Sequence, residues 1–270
     1  MRLSISNIAW DRGHDEEVAL LLRRHDFDTI DIAHSRYFPN PGAASPEGIA
    51  QVRTWWADRG IQIAAMQSLL FGTGGLNMFG TSAEQRAMLD HLASVCRIAS
   101  GLGATRLTFG SPRNRDRSGF DDVQAMSIAQ AFFRTLGEIA AAEGAVICLE
   151  PNPKAYGCNF MITTGEAARV VEQVGHPAIR LQLDTGAIHM NGEDLDGTLD
   201  SVRHLVGHVH LSAPDLAPIQ ASTMDHARVA AALRRSLPDD LLTIEMLVPP
   251  GQPTIECLEK AVELASGYYG

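Results

Sequence analysis

The chain has 270 residues, of which 45% are hydrophobic and 20% charged, an ordinary globular composition with enough apolar material for one large domain, 1–270. The 32 acidic residues outnumber the 22 basic ones, for a formal net charge of -10, which argues against a surface dedicated to nucleic acid. Cys96, Cys148, Cys158 and Cys257 form no CxxC pair, no apolar leader follows Met1, and no apolar run approaches the ~20 residues of a membrane span, so a cytoplasmic protein without membrane contact is expected.

Short β-rich runs alternate with segments of helical period along the whole chain. Strands are predicted at Leu3–Ile8, Thr29–Ala33, Ile61–Met66, Arg106–Phe109, Val146–Glu150, Ile179–Asp184, His208–Leu211 and Leu242–Met246. Helices are predicted over 15–25, 46–59, 82–102, 121–143, 164–174, 194–204, 225–236 and 253–266. Some of their ends are explicit. Ser45 precedes Pro46, a good first-turn residue, and Thr81-Ser82-Ala83-Glu84 reads as a capping box. Gly103 and Gly144 stand where helices must stop. Eight strand–helix units at this length predict an α/β protein made of a single, parallel eight-stranded (β/α)8 TIM barrel. No Gly-x-Gly-x-x-Gly follows the first strand, which removes the usual dinucleotide-binding alternative.

A parallel barrel gathers its reactive groups at the carboxyl ends of the strands. The last four predicted strands carry Glu150, Asp184, His210 and Glu245 at or near those ends, each after a strongly apolar run. A charge so placed is costly unless it is paired or bound to a cation. Any one of them would pass as a strand-end charge held by an amide or an arginine; on consecutive strands, all converge on one centre. Three carboxylates and one imidazole suit Mn2+ first, with Mg2+ or Co2+ as alternatives, better than they suit a thiolate-type zinc site. Asn152, Tyr156, Asn159 and Gln67 lie in loops or at strand ends from which they would reach substrate hydroxyls, and Trp10 is a candidate wall or a core residue. Arg36, Arg113 and Lys154 follow strands two, four and five and are either solvated loop charges or contacts for an anionic group. His208 shares a strand face with His210 and is expected to be a hydrogen-bonded interior residue. Glycines at 72, 74 and 75 make the 71–80 loop, beside the 111–119 loop, a candidate lid or a plain surface loop.

Leu-Glu-Pro-Asn at 149–152, Leu-Asp-Thr-Gly at 183–186, Gly-His-Val-His at 207–210 and Ile-Glu-Met at 244–246 together resemble the xylose-isomerase-like barrels, the superfamily of sugar isomerases and epimerases. That superfamily includes ketose 3-epimerases, hydroxypyruvate isomerase, inosose dehydratase and endonuclease IV. The resemblance implies that Glu150, Asp184, His210 and Glu245 bind one divalent ion, and that Glu150 and Glu245 also act as acid/base catalysts. The implied reaction is proton transfer on a small ketose or related polyhydroxy carbonyl compound, through a metal-stabilised enediolate. His189 corresponds loosely to a substrate-binding histidine of the epimerases, five positions after Asp184 rather than three. The arginine that follows the histidine ligand in those enzymes has no counterpart in Leu211–Gln220. Homo-oligomerisation is implied by the same resemblance. The alternatives are a metal-dependent lyase or dehydratase of the inosose type, an endonuclease IV-like nuclease that would draw on His34 and His91, and a non-catalytic partner subunit.

Overall fold

The strands alternate apolar residues with small or polar ones, and this alternation decides what each face meets. Ile30 and Ile32 of the second strand, or Leu181 and Leu183 of the sixth, turn outward beneath the helices, whereas Asp31, Gln182 and Asp184 turn toward the axis. The computed structural model, which describes residues 1–270, resolves this pattern into a closed parallel barrel with strand order β1 to β8. The strands are β1 (Arg2–Ser6), β2 (Thr29–Ala33), β3 (Gln62–Gln67), β4 (Arg106–Phe109), β5 (Val146–Leu149), β6 (Ile179–Asp184), β7 (Val206–Ser212) and β8 (Leu241–Glu245). β1 pairs with β8 to close the ring.

The helices are α1 (Asp15–Arg24), α2 (Pro46–Ala57), α3 (Ser82–Leu102), α4 (Asp122–Ala142), α5 (Thr164–Val174), α6 (Thr185–Asn191), α7 (Leu195–Val202), α8 (His226–Ser236) and α9 (Thr254–Tyr269). The capping box at Thr81 and Glu84 forms with both arms, and Gly103 ends α3 in the left-handed conformation. α6 departs from the predicted pattern, which left residues 185–193 without an element. Its cap is Asp184 itself, whose carboxylate accepts from the Ala187 amide at 2.6 Å. The helix is only seven residues long, too short for its apolar residues Ala187 and Ile188 to show a helical period.

Two register irregularities adjust the inner face. The β6–β7 pairing shifts between Leu181 and Gln182, and the β2–β3 pairing shifts between Ile30 and Asp31. The first leaves Gly207 as the extra residue, where a Cβ would meet the Arg180 Cβ at 2.7 Å and the Cys148 Sγ at 2.9 Å. Each bulge lies next to a polar residue that faces the axis, which is where bulges re-aim side chains. The lower interior is accordingly a polar network. Thr108 donates to Gln182, Ser4 donates to Asp31, and the His208 Nε2 lies 2.6 Å from the Asp31 Oδ2. The apolar core therefore lies mainly between the strands and the surrounding helices. No helix is long and apolar enough to cross a membrane.

Candidate active site

Glu150 just after β5, Asp184 at the end of β6, His210 in β7 and Glu245 at the end of β8 converge at the carboxyl end of the barrel. One ligand atom from each lies within 4.8 Å of those of the others. The His210 Nδ1 is the hub, 3.2 Å from a Glu150 oxygen and 3.4 Å from a Glu245 oxygen. All four residues are buried; Glu150 and Glu245, each 8% exposed, open onto a cavity of about 580 Å3 at the mouth.

Neighbouring side chains fix each member. The Ser212 hydroxyl lies 2.8 Å from both Asp184 oxygens, and accepts from the Gly186 amide at 3.0 Å. Gln67 donates its amide to Glu245 at 2.6 Å. Asn152 donates to Glu150 at 3.3 Å and accepts from Arg115 at 2.5 Å, while the same guanidinium donates to the Glu150 carbonyl at 2.7 Å. Behind His210, its Nε2 has no hydrogen-bond partner and stands 3.8 Å from the Asp31 carboxylate, which is itself held by His208. A carboxylate behind the imidazole orients the ring and raises its basicity as a ligand.

Two glycines make room for this arrangement. A Cβ on Gly110 would stand 1.9 Å from a Glu150 carboxylate oxygen. A Cβ on Gly186 would stand 2.7 Å from the Ser212 hydroxyl and 3.2 Å from the Ala213 backbone. Bare backbone at both positions is a condition for the carboxylates to sit where they do.

The electrostatics show an anionic cluster short of positive charge. Burial, with the charges of Glu150 and Glu245 acting in the same direction, pushes Asp184 up to about 7. Burial alone would lower His210, but Glu245, with the Asp31 and Glu150 carboxylates, lifts it well above its ordinary value. Burial also pushes Glu245 up, an effect outweighed by the His210 charge and by hydrogen bonds from His210 and Gln67, so it stays below the usual glutamate range. The acids thus lean on the His210 imidazole, and Asp184 holds a proton more tightly than an ordinary carboxylate does. A divalent cation bound by three carboxylate oxygens and the imidazole nitrogen would supply that positive charge, so the residues present fit such an ion.

Of the other sequence-predicted residues, Gln67, Asn152 and Tyr156 line the cavity. The Tyr156 hydroxyl accepts from the Asp215 amide at 2.7 Å and lies 2.9 Å from the Met190 sulfur. Trp10 and His189 do not line it. Trp10 is buried and donates its indole N–H to Asp15 at 2.8 Å, as a core residue does. His189 is exposed, because residues 185–191 form a helix rather than a loop. Five residues along a helix turn a side chain about 140° from its starting direction, away from Asp184. Asn159 is spent on Asp116 and on the Arg117 amide, and Arg36 pairs with Asp11. His34 and His91 both point a ring nitrogen at the Leu69 carbonyl, at 3.1 and 2.8 Å, and neither joins the carboxylate cluster.

Asp31, Ser212, Arg115 and Gly110 were missed by sequence reasoning. Asp31 and Ser212 had a usable signal: an acid between two isoleucines in a strand, and a hydroxyl two residues beyond His210, share the inner face by alternation. Arg115 had none.

The xylose isomerase-like TIM barrel family matches residues 20–264. The chain belongs to that family. A human protein carrying the name "Putative hydroxypyruvate isomerase" is 24% identical over 199 residues, which are 69% of this chain and 66% of that one, just under two thirds of its length. Among solved structures, a D-psicose 3-epimerase crystallised in the presence of D-fructose superposes with a TM-score of 0.84 at 17% identity, over 100% of both chains. A "probable 3-DHS dehydratase" from Bacillus anthracis superposes with a TM-score of 0.73 at 14% identity, over 98% of this chain and 99% of that one. At these identities the two superpositions show a common fold.

Proposed function

We propose that this protein is a divalent-metal-dependent sugar isomerase or epimerase acting on a small ketose or related polyhydroxy carbonyl compound, with Mn2+ as the first choice of metal and Mg2+ or Co2+ as alternatives. The observation that carries the reading is that Glu150 and Glu245, on strands separated by β6 and β7, reach the same imidazole nitrogen while both open to the cavity. Glu150, Asp184, His210 and Glu245 would hold the ion. When bound, it would act as a Lewis acid toward substrate oxygens, stabilising the negative charge that develops when the neighbouring C–H is ionised.

The proton work falls to the two glutamates. A carboxylate below its ordinary pKa is ionised at neutral pH, and Glu245 is such a base. The Gln67 amide holds one Glu245 oxygen, so that the carboxylate cannot swing freely when it takes a proton. Glu150 is held in the same manner by Asn152, which Arg115 anchors in turn. One glutamate, entering the step ionised, removes the proton from the carbon beside the carbonyl; the other, entering it protonated from solvent, returns a proton, and exchange with solvent resets both. Return to the same carbon from the opposite face gives the epimer, whereas return to the adjacent carbon gives the isomer.

The test is metal content together with solvent exchange. Wild-type protein is expected to hold about one divalent ion per chain and to incorporate deuterium beside the carbonyl of a ketose or keto acid in D2O. Glu150→Gln and Glu245→Gln should each abolish net conversion to the epimer or isomer and lower the bound metal. A metal-loaded enzyme that exchanges no carbon-bound proton in any such compound would overturn the reading. A product that has lost water would move the assignment to a dehydratase.

A further inference from the structure

Three arginines follow β4 within the segment Ser-Pro-Arg-Asn-Arg-Asp-Arg at 111–117, and they have different fates. Arg115 is fully buried and spent on the Glu150 carbonyl and Asn152. Arg117 is spent on Asp122 and on the Asn159 carbonyl. Arg113, exposed on the short 3-10 turn Pro112–Arg115, lines the cavity and forms no ion pair and no hydrogen bond.

Arg113 is also the only basic side chain in the cavity wall, which contains the acids Glu150, Asp184, Asp215 and Glu245. A guanidinium placed among carboxylates for structural balance would be paired with one of them, as Arg117 is with Asp122. An anionic floor in a chain of net charge -10 would repel an anionic substrate unless a cation received its charge. The planar fork of arginine matches a carboxylate through two parallel hydrogen bonds. With no second basic group in the wall, the site matches a monoanion better than a phosphate dianion.

We propose that Arg113 recognises a carboxylate on the substrate, and that the substrate is a small polyhydroxy keto acid bound with its carboxylate at the rim and its carbonyl toward the acidic floor. This rests on the cavity being the reaction site described above. Specificity for an acid sugar, and not for a neutral ketose, would then reside in the loop after β4.

Binding of unreactive polyols tests this without depending on turnover. D-Glucitol, D-gluconate and D-glucitol 6-phosphate carry a neutral, a carboxylate and a phosphate end on the same carbon skeleton. Calorimetric titration of wild type, Arg113→Gln and Arg113→Lys, each metal-free and Mn2+-loaded, should show gluconate bound about tenfold or more tighter than glucitol by wild type, the yield of one charge-assisted pair. That preference should vanish in Arg113→Gln and persist in part in Arg113→Lys. Equal binding of gluconate and glucitol would overturn the proposal. So would a gluconate preference that survives Arg113→Gln, since the carboxylate would then be on the metal. Tightest binding of the phosphate would reassign the subsite to a phosphorylated substrate and refute the carboxylate. If proton exchange fails while the Arg113-dependent preference holds, the reaction assignment falls and the anion subsite stands.

Discussion

Gly110→Ala adds a single methyl group at the position where the active-site geometry is tightest. The new Cβ would stand 1.9 Å from a Glu150 carboxylate oxygen and 3.0 Å from its carboxyl carbon. Real Cβ contacts essentially never fall below 3.0 Å, so the oxygen must retreat by at least about 1.1 Å. Glu150 borders the cavity, so its carboxylate has space to swing into, and the cost in stability should stay below about 2 kcal/mol. On the proposed role of Glu150 the functional cost is larger, because displacement of a reacting group by about 1 Å can cost a hundredfold in rate. The same swing would remove one oxygen from the proposed ligand set. Mn2+ titration followed by the electron paramagnetic resonance of free Mn2+ should show affinity lower by at least about tenfold, and D2O exchange into substrate should fall about a hundredfold. Thermal denaturation controls for folding. A folded Gly110→Ala protein that binds Mn2+ and exchanges protons within about threefold of wild type would refute the claim that Glu150 must occupy its observed position.

Three other outcomes follow from the same geometry. Asp31→Asn removes one member of the buried 2.6 Å pair with His208 and should cost about 3–5 kcal/mol, seen as a melting midpoint lower by roughly 10 °C; an unchanged midpoint would show that the pair adds nothing. The second concerns pH. Asp184 titrates at about 7 in the folded, metal-free protein against 3.8 ordinarily, so its contribution to stability is complete below about pH 4 and is lost as the pH rises through about 7. A metal ion must displace that proton and the one on His210, so Mn2+ affinity should rise about a hundredfold per pH unit below pH 7 and more gently above it. A pH-independent affinity between about pH 6 and pH 8 would contradict these charge states. Lastly, Asn114 donates to the Leu76 carbonyl at 2.8 Å and to the Thr73 hydroxyl at 3.3 Å, linking the 71–80 and 111–119 loops. Asn114→Ala should cost about 1–2 kcal/mol and speed amide hydrogen exchange across residues 71–80; unchanged exchange would mean that the loops are held elsewhere.

That last link bears on how far the loops can be read from sequence. Glycines at 72, 74 and 75 suggest a hinge, yet Asn77 and Met78 are bonded to the backbone carbonyls of Asp116 and Asn114. Such bonds depend on two loops meeting in space, and composition carries no record of that.

The sequence by itself determined the alternation of strands and helices, because apolar period is a local property: two in the strands, near 3.6 in the helices. It also determined which acids and which histidine face the axis at strand ends, since position in a strand decides the face a side chain takes. Only the tertiary structure decided the rest. Barrel closure sets Asp31 of β2 beside His208 of β7, a contact 177 residues apart. The turn after β4 sends Arg115 inward and leaves Arg113 at the rim, although the two are only two residues apart and identical in type. The cap on Asp184 nucleates α6 and turns His189 outward. In each case the deciding free energy is that of packing or of pairing a buried charge, and it depends on partners distant in the chain that no local pattern names.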